Sequence, residues 1–516
     1  MVWLILKLLV LGSLLGFTVR AVRTPARYPP SRPPHARPIL AVAFGLLGLF
    51  TLTLAYQANW HLAADQDPRF ARVSRLDGRP WAREKAIPRG RVFDRKGRLL
   101  IANGPNGQRQ YPLGPQAAHV TGYHHRRYDK AGIEAACDDV LLGWRRPTWA
   151  QFQDEWKSFT RPRLKPTDVL LTLDAHLQRV AAEALGARSG AVVALDPTRG
   201  QILVLCSQPA FDPNRMAVPG YFESLKEDDR NPFLNRALQG LYPPGSVFKL
   251  IVAAAALENG ITPQDTYACP AAGYLPPGGD KPILDYEAAR AARQGRRWKG
   301  HGSLTLAAAL RRSANTYFAQ LGVYLGSEVM AWYAEQFGFG QTLALVEGRG
   351  RPSALAARLG FVNAPRPLPP REAARLAIGQ GPVVATPLGM ALVTAAIAHE
   401  GVIMRPRLLL DDPPEVWRQP LPPQTARRIG AMMAGVVAAP DGTGHQARVA
   451  GLSVAGKTGS AENPQGPAHA WFVAFAPVES PKLVVTVVVA HGGSGGSVAA
   501  PIARRILEEA RKAGYL

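Results

Sequence analysis

The chain opens with two long apolar runs that differ from the patterns after them. Residues 1–19 are apolar except for Lys7, and residues 39–58 carry no charge. A helix that spans a bilayer needs about 20 such residues. The pattern therefore predicts a transmembrane helix over 39–58 and makes 1–19 a candidate for a first one.

Residues 20–38, between the two runs, contain five arginines, six prolines and no acidic residue. Prolines disfavour a helix, and short arginine-rich loops stay on the cytoplasmic side of a membrane. We therefore expect the chain after residue 59 to lie on the outer, periplasmic or extracellular, face of the cell membrane.

After this point the pattern predicts two folded parts. Residues 59–165 are mixed and basic, and 91–101 predict two short strands around a turn. Residues 166–516 combine continuous apolar runs, typical of buried strands, with alanine-rich helical segments. The predicted strands are 190–195 and 201–206, joined as a hairpin, and 483–490; the predicted helices are 247–257, 304–312, 387–399 and 498–513. Strands at both ends with helices between them predict one mixed α/β domain.

Composition and charge narrow the classes of partner. The 516 residues carry a formal net charge of +23, and much of the surplus lies in the first hundred residues, beside the apolar runs. That placement favours attraction to an anionic membrane or cell-wall surface over a nucleic-acid partner. The three cysteines, at positions 137, 206 and 269, have no metal-binding spacing, and a bridge between Cys206 and Cys269 stays open. The sequence implies no metal site and no cofactor.

Ser246 and Lys249 form the first chemical motif, at the start of a predicted apolar helix. Residues three apart on a helix share a face, which places the amine beside the hydroxyl. A serine becomes a nucleophile when a base takes its proton, and a buried lysine can be that base because burial disfavours its charged form. No other serine in the chain has a lysine three residues later.

Two further motifs follow in the chain. Ser313 and Asn315 stand two residues apart in a segment that reads as a helix end or a loop, so their hydroxyl and amide can point into one cleft. Residues 457–460, Lys-Thr-Gly-Ser, read as a strand whose glycine admits a close backbone neighbour. Alone, these motifs also fit a capping serine and an exposed lysine on an edge strand. Their order after Ser-x-x-Lys is typical of penicillin-recognising serine acyl enzymes.

With these motifs the sequence resembles the class B penicillin-binding proteins, monofunctional peptidoglycan D,D-transpeptidases. The resemblance extends over roughly residues 88–510 and includes the segments 88–97, 168–178, 207–214, 378–388, 442–444 and 470–477. It implies a pedestal domain over 59–165 and a transpeptidase domain over 166–516. The implied fold of the latter is a central, mostly antiparallel sheet packed between helices, with a helical subdomain.

The resemblance also implies a role for each motif residue. Ser246 attacks the carbonyl of the penultimate D-alanine of a stem peptide, Lys249 takes its proton, and Ser313 helps return a proton to the departing D-alanine. The implied substrate-binding residues are Asn315, Lys457, Thr458, Gly459 and Ser460. The backbone amides of Ser246 and Ser460 would form the oxyanion hole.

The implied partners are peptidoglycan stem peptides, β-lactams that acylate the serine, and a polytopic membrane glycosyltransferase of the SEDS type. Two rival interpretations remain at this point. One is a D,D-carboxypeptidase or β-lactamase of the same superfamily, in which water replaces the acceptor amine. The other is a catalytically idle penicillin-binding scaffold. The intact motifs and the amide at Asn315 favour the transpeptidase.

Overall fold

The computed structural model of the chain describes residues 36–63, 88–105, 107–143, 166–346, 352–363 and 367–516. The chain forms two compact units, residues 1–83 and 84–516. In the first unit, helix α1 spans Ala36–Ala63. Across the described part of the chain, no helix combines the length and the apolar character that a membrane span needs. The predicted segment 1–19 lies outside the described residues.

The second unit contains the remaining elements. Its helices are α2 Ala118–Thr121, α3 Gly132–Ala136, α4 Asp138–Leu142, α5 Ala175–Leu185, α6 Tyr221–Glu227, α7 Arg236–Gln239, α8 Lys249–Glu258, α9 Tyr286–Arg293, α10 Leu306–Arg312, α11 Asn315–Gln336, α12 Pro370–Ala377, α13 Pro387–Ala398, α14 Pro423–Ala438 and α15 Ala500–Lys512. Its strands are β1 Val92–Phe93, β2 Leu99–Asn103, β3 Arg109–Gln110, β4 His124–His125, β5 Asp129–Lys130, β6 Val169–Leu170, β7 Gly190–Leu195, β8 Ile202–Gln208, β9 Thr266–Cys269, β10 Gly302–Thr305, β11 Thr342–Ala344, β12 Ala356–Arg358, β13 Gly360–Val362, β14 Val383–Ala385, β15 Ile403–Met404, β16 Val416–Arg418, β17 Ala455–Asn463, β18 Gly466–Ala476 and β19 Leu483–Val489.

A small sheet and a buried ion cluster organise residues 88–143. The sheet has the order β3-β2-β1-β6, and β1 pairs antiparallel with β2 across a turn at Gly97, so the predicted pair of strands is confirmed. The carboxylate of Glu134 is fully buried between two guanidinium groups, 3.0 Å from Arg89 and 2.6 Å from Arg109. Burial raises the pKa of Glu134, but both arginines lower it, and the net result is a pKa below the ordinary value.

The second unit is built around a five-stranded sheet in the order β17-β18-β19-β7-β8, in which every neighbouring pair is antiparallel. The hairpin β7–β8 and the strand β19 confirm the prediction. Successive residues point to opposite faces. One face packs against α5 and α15, and the other against α13. Because both faces are covered, β19 reads as a continuous apolar run.

Helix α13 begins where its sequence places a cap. Thr386 accepts a hydrogen bond from the amide of Gly389 at 3.1 Å, and Pro387 occupies the first helical position of α13. Three predicted helices begin two residues later than expected, at Lys249, Leu306 and Ala500, and in α10 the reason is that Thr305 still belongs to β10. A 3-10 turn at Gly245–Val247 precedes α8, and a π-helical turn at Gly495–Ala499 precedes α15. Glycine disfavours an α-helical start at both places.

The bridge between Cys206 and Cys269, which the sequence left open, is not formed. All three cysteines of the chain are buried free thiols. Burial alone raises the pKa of Cys206 to about 12, so this thiol is held in its unreactive form.

The ion cluster predicts the effect of Glu134→Gln on stability. Neutralising one partner of a buried ion pair leaves the other charge uncompensated and costs about 3–5 kcal/mol. We expect the free energy of unfolding, measured by denaturant titration, to fall by that amount. Glu183→Gln is the matched control, because Glu183 pairs with Arg505 at a site where its side chain is 46% exposed. Equal effects of the two substitutions would contradict this account.

Candidate active site

The turn that carries Ser246 is held in place by contacts on both sides. Gly245 has a φ of +54°, a left-handed conformation that favours glycine, and its amide donates to the Gly379 carbonyl at 2.9 Å. On the other side, the Trp471 indole donates to the Pro243 carbonyl at 3.0 Å. These contacts fix the backbone around a half-buried hydroxyl.

Ser246 and Lys249 are close in sequence but not on one α-helix, which corrects the prediction. Ser246 lies in the 3-10 turn and Lys249 is the first residue of α8. Residues three apart eclipse in 3-10 geometry, so the change of helix type keeps both side chains on one side of the turn. Within the described residues, no hydrogen bond joins the Ser246 hydroxyl to the Lys249 amine.

The Lys249 side chain is fully buried, and its amine donates two hydrogen bonds. One goes to the Ser313 carbonyl and the other to the Asn315 side-chain oxygen, both at 2.8 Å. Burial lowers the pKa of Lys249 to about 7, and the carboxylates of Asp285 and Glu287 partly oppose that shift. A lysine with such a pKa can accept a proton near neutral pH.

Ser313 joins the two lysines of the site. It ends α10 in a left-handed conformation, with a φ of +60°, which is uncommon for a residue other than glycine. Its carbonyl accepts a hydrogen bond from the Lys249 amine, and its hydroxyl accepts one from the Lys457 amine at 2.7 Å. The prediction of a helix end is confirmed, and this conformation allows one residue to contact both amines.

Lys457 is buried, so the alternative of an exposed lysine is wrong, although β17 is an edge strand of the sheet. Its amine also donates to the Thr458 carbonyl at 2.9 Å. Burial lowers the pKa of Lys457 well below its ordinary value, and repulsion from Lys249 lowers it further. The positive charge of Lys249 therefore disfavours the charged form of Lys457.

The rest of this strand meets two loops. The hydroxyls of Thr458 and Thr443 share a hydrogen bond of 2.7 Å, and the Ser460 hydroxyl accepts from the Gly495 amide at 3.2 Å. A Cβ added at Gly459 would lie 3.1 Å from the Pro244 carbonyl oxygen, which is why the strand can approach the Ser246 turn so closely. The structure thus brings all eight predicted residues to one place.

Several residues that support the site have no predicted role. Three of them, Gly379, Thr443 and Trp471, lie in segments on which the family resemblance rests, but the resemblance gave no contact for them. Nothing in the sequence indicated a role for Asp285, because it is a single acidic residue in a loop outside every motif.

Comparisons with known proteins agree with this geometry. Residues 190–508 match the penicillin binding protein transpeptidase domain family, and residues 96–160 match the penicillin binding protein A dimerisation domain family. The chain is 33% identical to the peptidoglycan D,D-transpeptidase PbpA of Mycolicibacterium smegmatis, over 92% of this chain and 98% of that protein.

Two solved structures show the fold. Penicillin-binding protein A from M. tuberculosis, as its imipenem acyl-enzyme complex, superposes with a TM-score of 0.71 at 31% identity, covering 83% of this chain and 100% of that one. PBP2 from Helicobacter pylori, in complex with MreC, superposes with a TM-score of 0.68 at 23% identity, covering 83% and 98%.

Proposed function

The chain belongs to the penicillin-binding protein transpeptidase family, and we infer from this membership that it is a serine-dependent peptidoglycan D,D-transpeptidase that β-lactams acylate. The observation that carries the inference is the buried Lys249, whose pKa of about 7 suits a base for the neighbouring Ser246. The intact set of motif residues supports an active enzyme over an idle scaffold.

In the proposed first step, the Ser246 oxygen bonds to the carbonyl carbon of the penultimate D-alanine while Lys249 takes the hydroxyl proton. The bond to the terminal D-alanine then breaks, and its nitrogen leaves as an amine after receiving a proton. The Ser313 hydroxyl, 2.7 Å from the Lys457 amine, is placed to pass on that proton. The amine of a neighbouring stem peptide next attacks the acyl-enzyme and closes the cross-link, which frees Ser246.

The substrate-binding roles rest on the strand that carries Lys457. Lys457 and Thr458 would receive the terminal carboxylate of the donor peptide, and the amides of Ser246 and Ser460 would bind the oxyanion. Asn315 would bond the substrate backbone. In the structure its side-chain oxygen accepts from Lys249 and its nitrogen donates to the Leu284 carbonyl at 3.0 Å, so Asn315 also orients the base.

The first test is covalent labelling of the full chain by a β-lactam. Intact mass should rise by one adduct that maps to the peptide containing Ser246, and Ser246→Ala should give none. An adduct that persists in the alanine variant would remove Ser246 from the mechanism.

The second test concerns the base. Because the pKa of Lys249 is about 7, the acylation rate should rise with pH through that value as the amine loses its proton. Lys249→Arg keeps a positive charge but cannot lose its proton near neutral pH. Acylation should fall about 10²–10⁴-fold, the range expected for general-base catalysis. Near-normal acylation by a folded Lys249→Arg protein would assign the base to another group, with Ser313 the next candidate.

The membrane location and the membrane partner are further parts of the proposal. The apolar segment 39–58 and the basic loop 20–38 support an anchor with the enzymatic part outside the cell membrane. We propose a SEDS-type glycosyltransferase as partner, on the basis of the family resemblance. The complex of the H. pylori PBP2 with MreC makes a protein similar to MreC a second candidate.

Reporter fusions test this topology. A reporter active only outside the membrane should be active when fused after residue 60 and silent when fused near residue 30, inside the arginine-rich loop. The opposite pattern would mean that the orientation is inverted.

A further inference from the structure

Leu284 and Asp285 form hydrogen bonds with the first two residues of α11, Asn315 and Thr316. The Asp285 carboxylate accepts a hydrogen bond from the Thr316 amide at 3.0 Å and another from the Thr316 hydroxyl at 2.5 Å. Next to it, the Leu284 carbonyl accepts from the Asn315 side-chain nitrogen at 3.0 Å. Three hydrogen bonds thus hold two consecutive residues, one of which contacts the Lys249 amine.

The orientation of the Asn315 amide follows from this arrangement. With its nitrogen held by Leu284, its oxygen must point the opposite way, where it accepts from Lys249 at 2.8 Å. A rotated amide would place two N–H groups against the amine and lose both hydrogen bonds. The segment before α9 therefore decides which end of Asn315 faces the base.

The Asp285 side chain is fully buried. Burying a carboxylate costs several kcal/mol unless charges or hydrogen bonds compensate it. A neutral residue could accept the same hydrogen bonds from Thr316 at a lower cost. The hydrogen bonds to Thr316 at the start of α11 therefore do not by themselves explain why residue 285 carries a charge.

The charged groups around Lys249 supply that explanation. Lys457 faces it from β17, while Asp285 and Glu287 face it from the start of α9. His301 lies beside β10 with its Nε2 atom 3.9 Å from Asp285 and 3.6 Å from Glu287, and in the described residues that atom has no hydrogen-bond partner. Two carboxylates thus oppose the effect of burial on the Lys249 amine, and Asp285 is the more deeply buried of the two.

We propose that Asp285 is a positioning residue for the transpeptidase reaction, which acts through Thr316 and Asn315 to hold the base Lys249 in place and to balance the charge that this amine gains when it takes a proton. This inference rests on the proposed function. It adds a residue outside the three motifs to the machinery of the site.

Asp285→Asn tests the proposal, because it keeps the shape of the side chain and removes the charge. We expect the acylation rate of the full-length variant, measured with a fluorescent penicillin, to fall about 10- to 100-fold on its high-pH plateau, the scale on which misplaced catalytic groups act. The rising limb of the pH profile should move to lower pH, because Asp285 raises the pKa of Lys249. If Asp285 had a role in folding alone, the variant would have a lower melting temperature and the rising limb of its pH profile would stay at the wild-type pH.

Asp280→Asn is the matched control. Asp280 is five positions earlier, 61% exposed, and paired with Arg371 at 3.0 Å; this variant should keep the wild-type plateau and pH profile. Thr316→Val retains the Asp285 carboxylate but loses the hydrogen bond from the Thr316 hydroxyl. Its acylation rate on the high-pH plateau should therefore fall, while the rising limb of its pH profile stays at the wild-type pH.

The outcomes separate this inference from the proposed function. If the wild-type protein is not acylated at Ser246, the proposed function fails and the inference fails with it. If the wild type is acylated and Asp285→Asn shows the wild-type plateau or an unmoved limb, the inference alone is overturned. Should Asp285→Asn fail to fold, a wild-type plateau in Thr316→Val overturns it.

Discussion

The burial of two lysines against one serine is the constraint on which the rest of the site depends. Lys249 and Lys457 are both inaccessible to solvent and both contact Ser313, one at its carbonyl and one at its hydroxyl. Two buried ammonium groups so close together would be very costly. The arrangement is stable because burial lowers the pKa of both lysines, and repulsion from Lys249 lowers that of Lys457 further; a neutral amine is then available as a base.

Small residues permit the close approaches that this burial requires. Gly459 lets β17 reach the Ser246 turn, and Gly379 lies against the same turn, where an added Cβ would be 2.0 Å from the Gly245 carbonyl oxygen. On the outer side, a Cβ at Gly495 would lie 2.3 Å from the Gly459 carbonyl oxygen. The Ser246 turn, β17 and the segment at Gly495 can therefore approach one another closely because glycines stand at their contact points.

The sequence was sufficient for the parts of the site whose geometry is local. The spacing of Ser246 and Lys249 indicated that their side chains lie on the same side of the backbone turn, and the apolar residues after them indicated that Lys249 is buried. It could not distinguish a 3-10 turn from an α-helix, since the two differ little over one turn and the choice depends on Gly245 and its contact with Gly379. Strands β7, β8 and β19 of the central sheet were predictable because they are largely apolar, whereas the antiparallel arrangement was an expectation from the family resemblance.

The parts that could not be predicted depend on contacts between residues distant in sequence. Lys457 fits an exposed edge-strand lysine in the sequence, but in the fold it is buried and its amine meets Ser313, 144 positions away. Asp285 meets Thr316 across 31 positions and belongs to no motif. A hydrogen-bond network in a low-dielectric interior gains strength only when every member is satisfied. The three motifs supply the reacting groups, but the position of the base depends on the Leu284 carbonyl and the Asp285 carboxylate, and only the folded chain identifies these contacts.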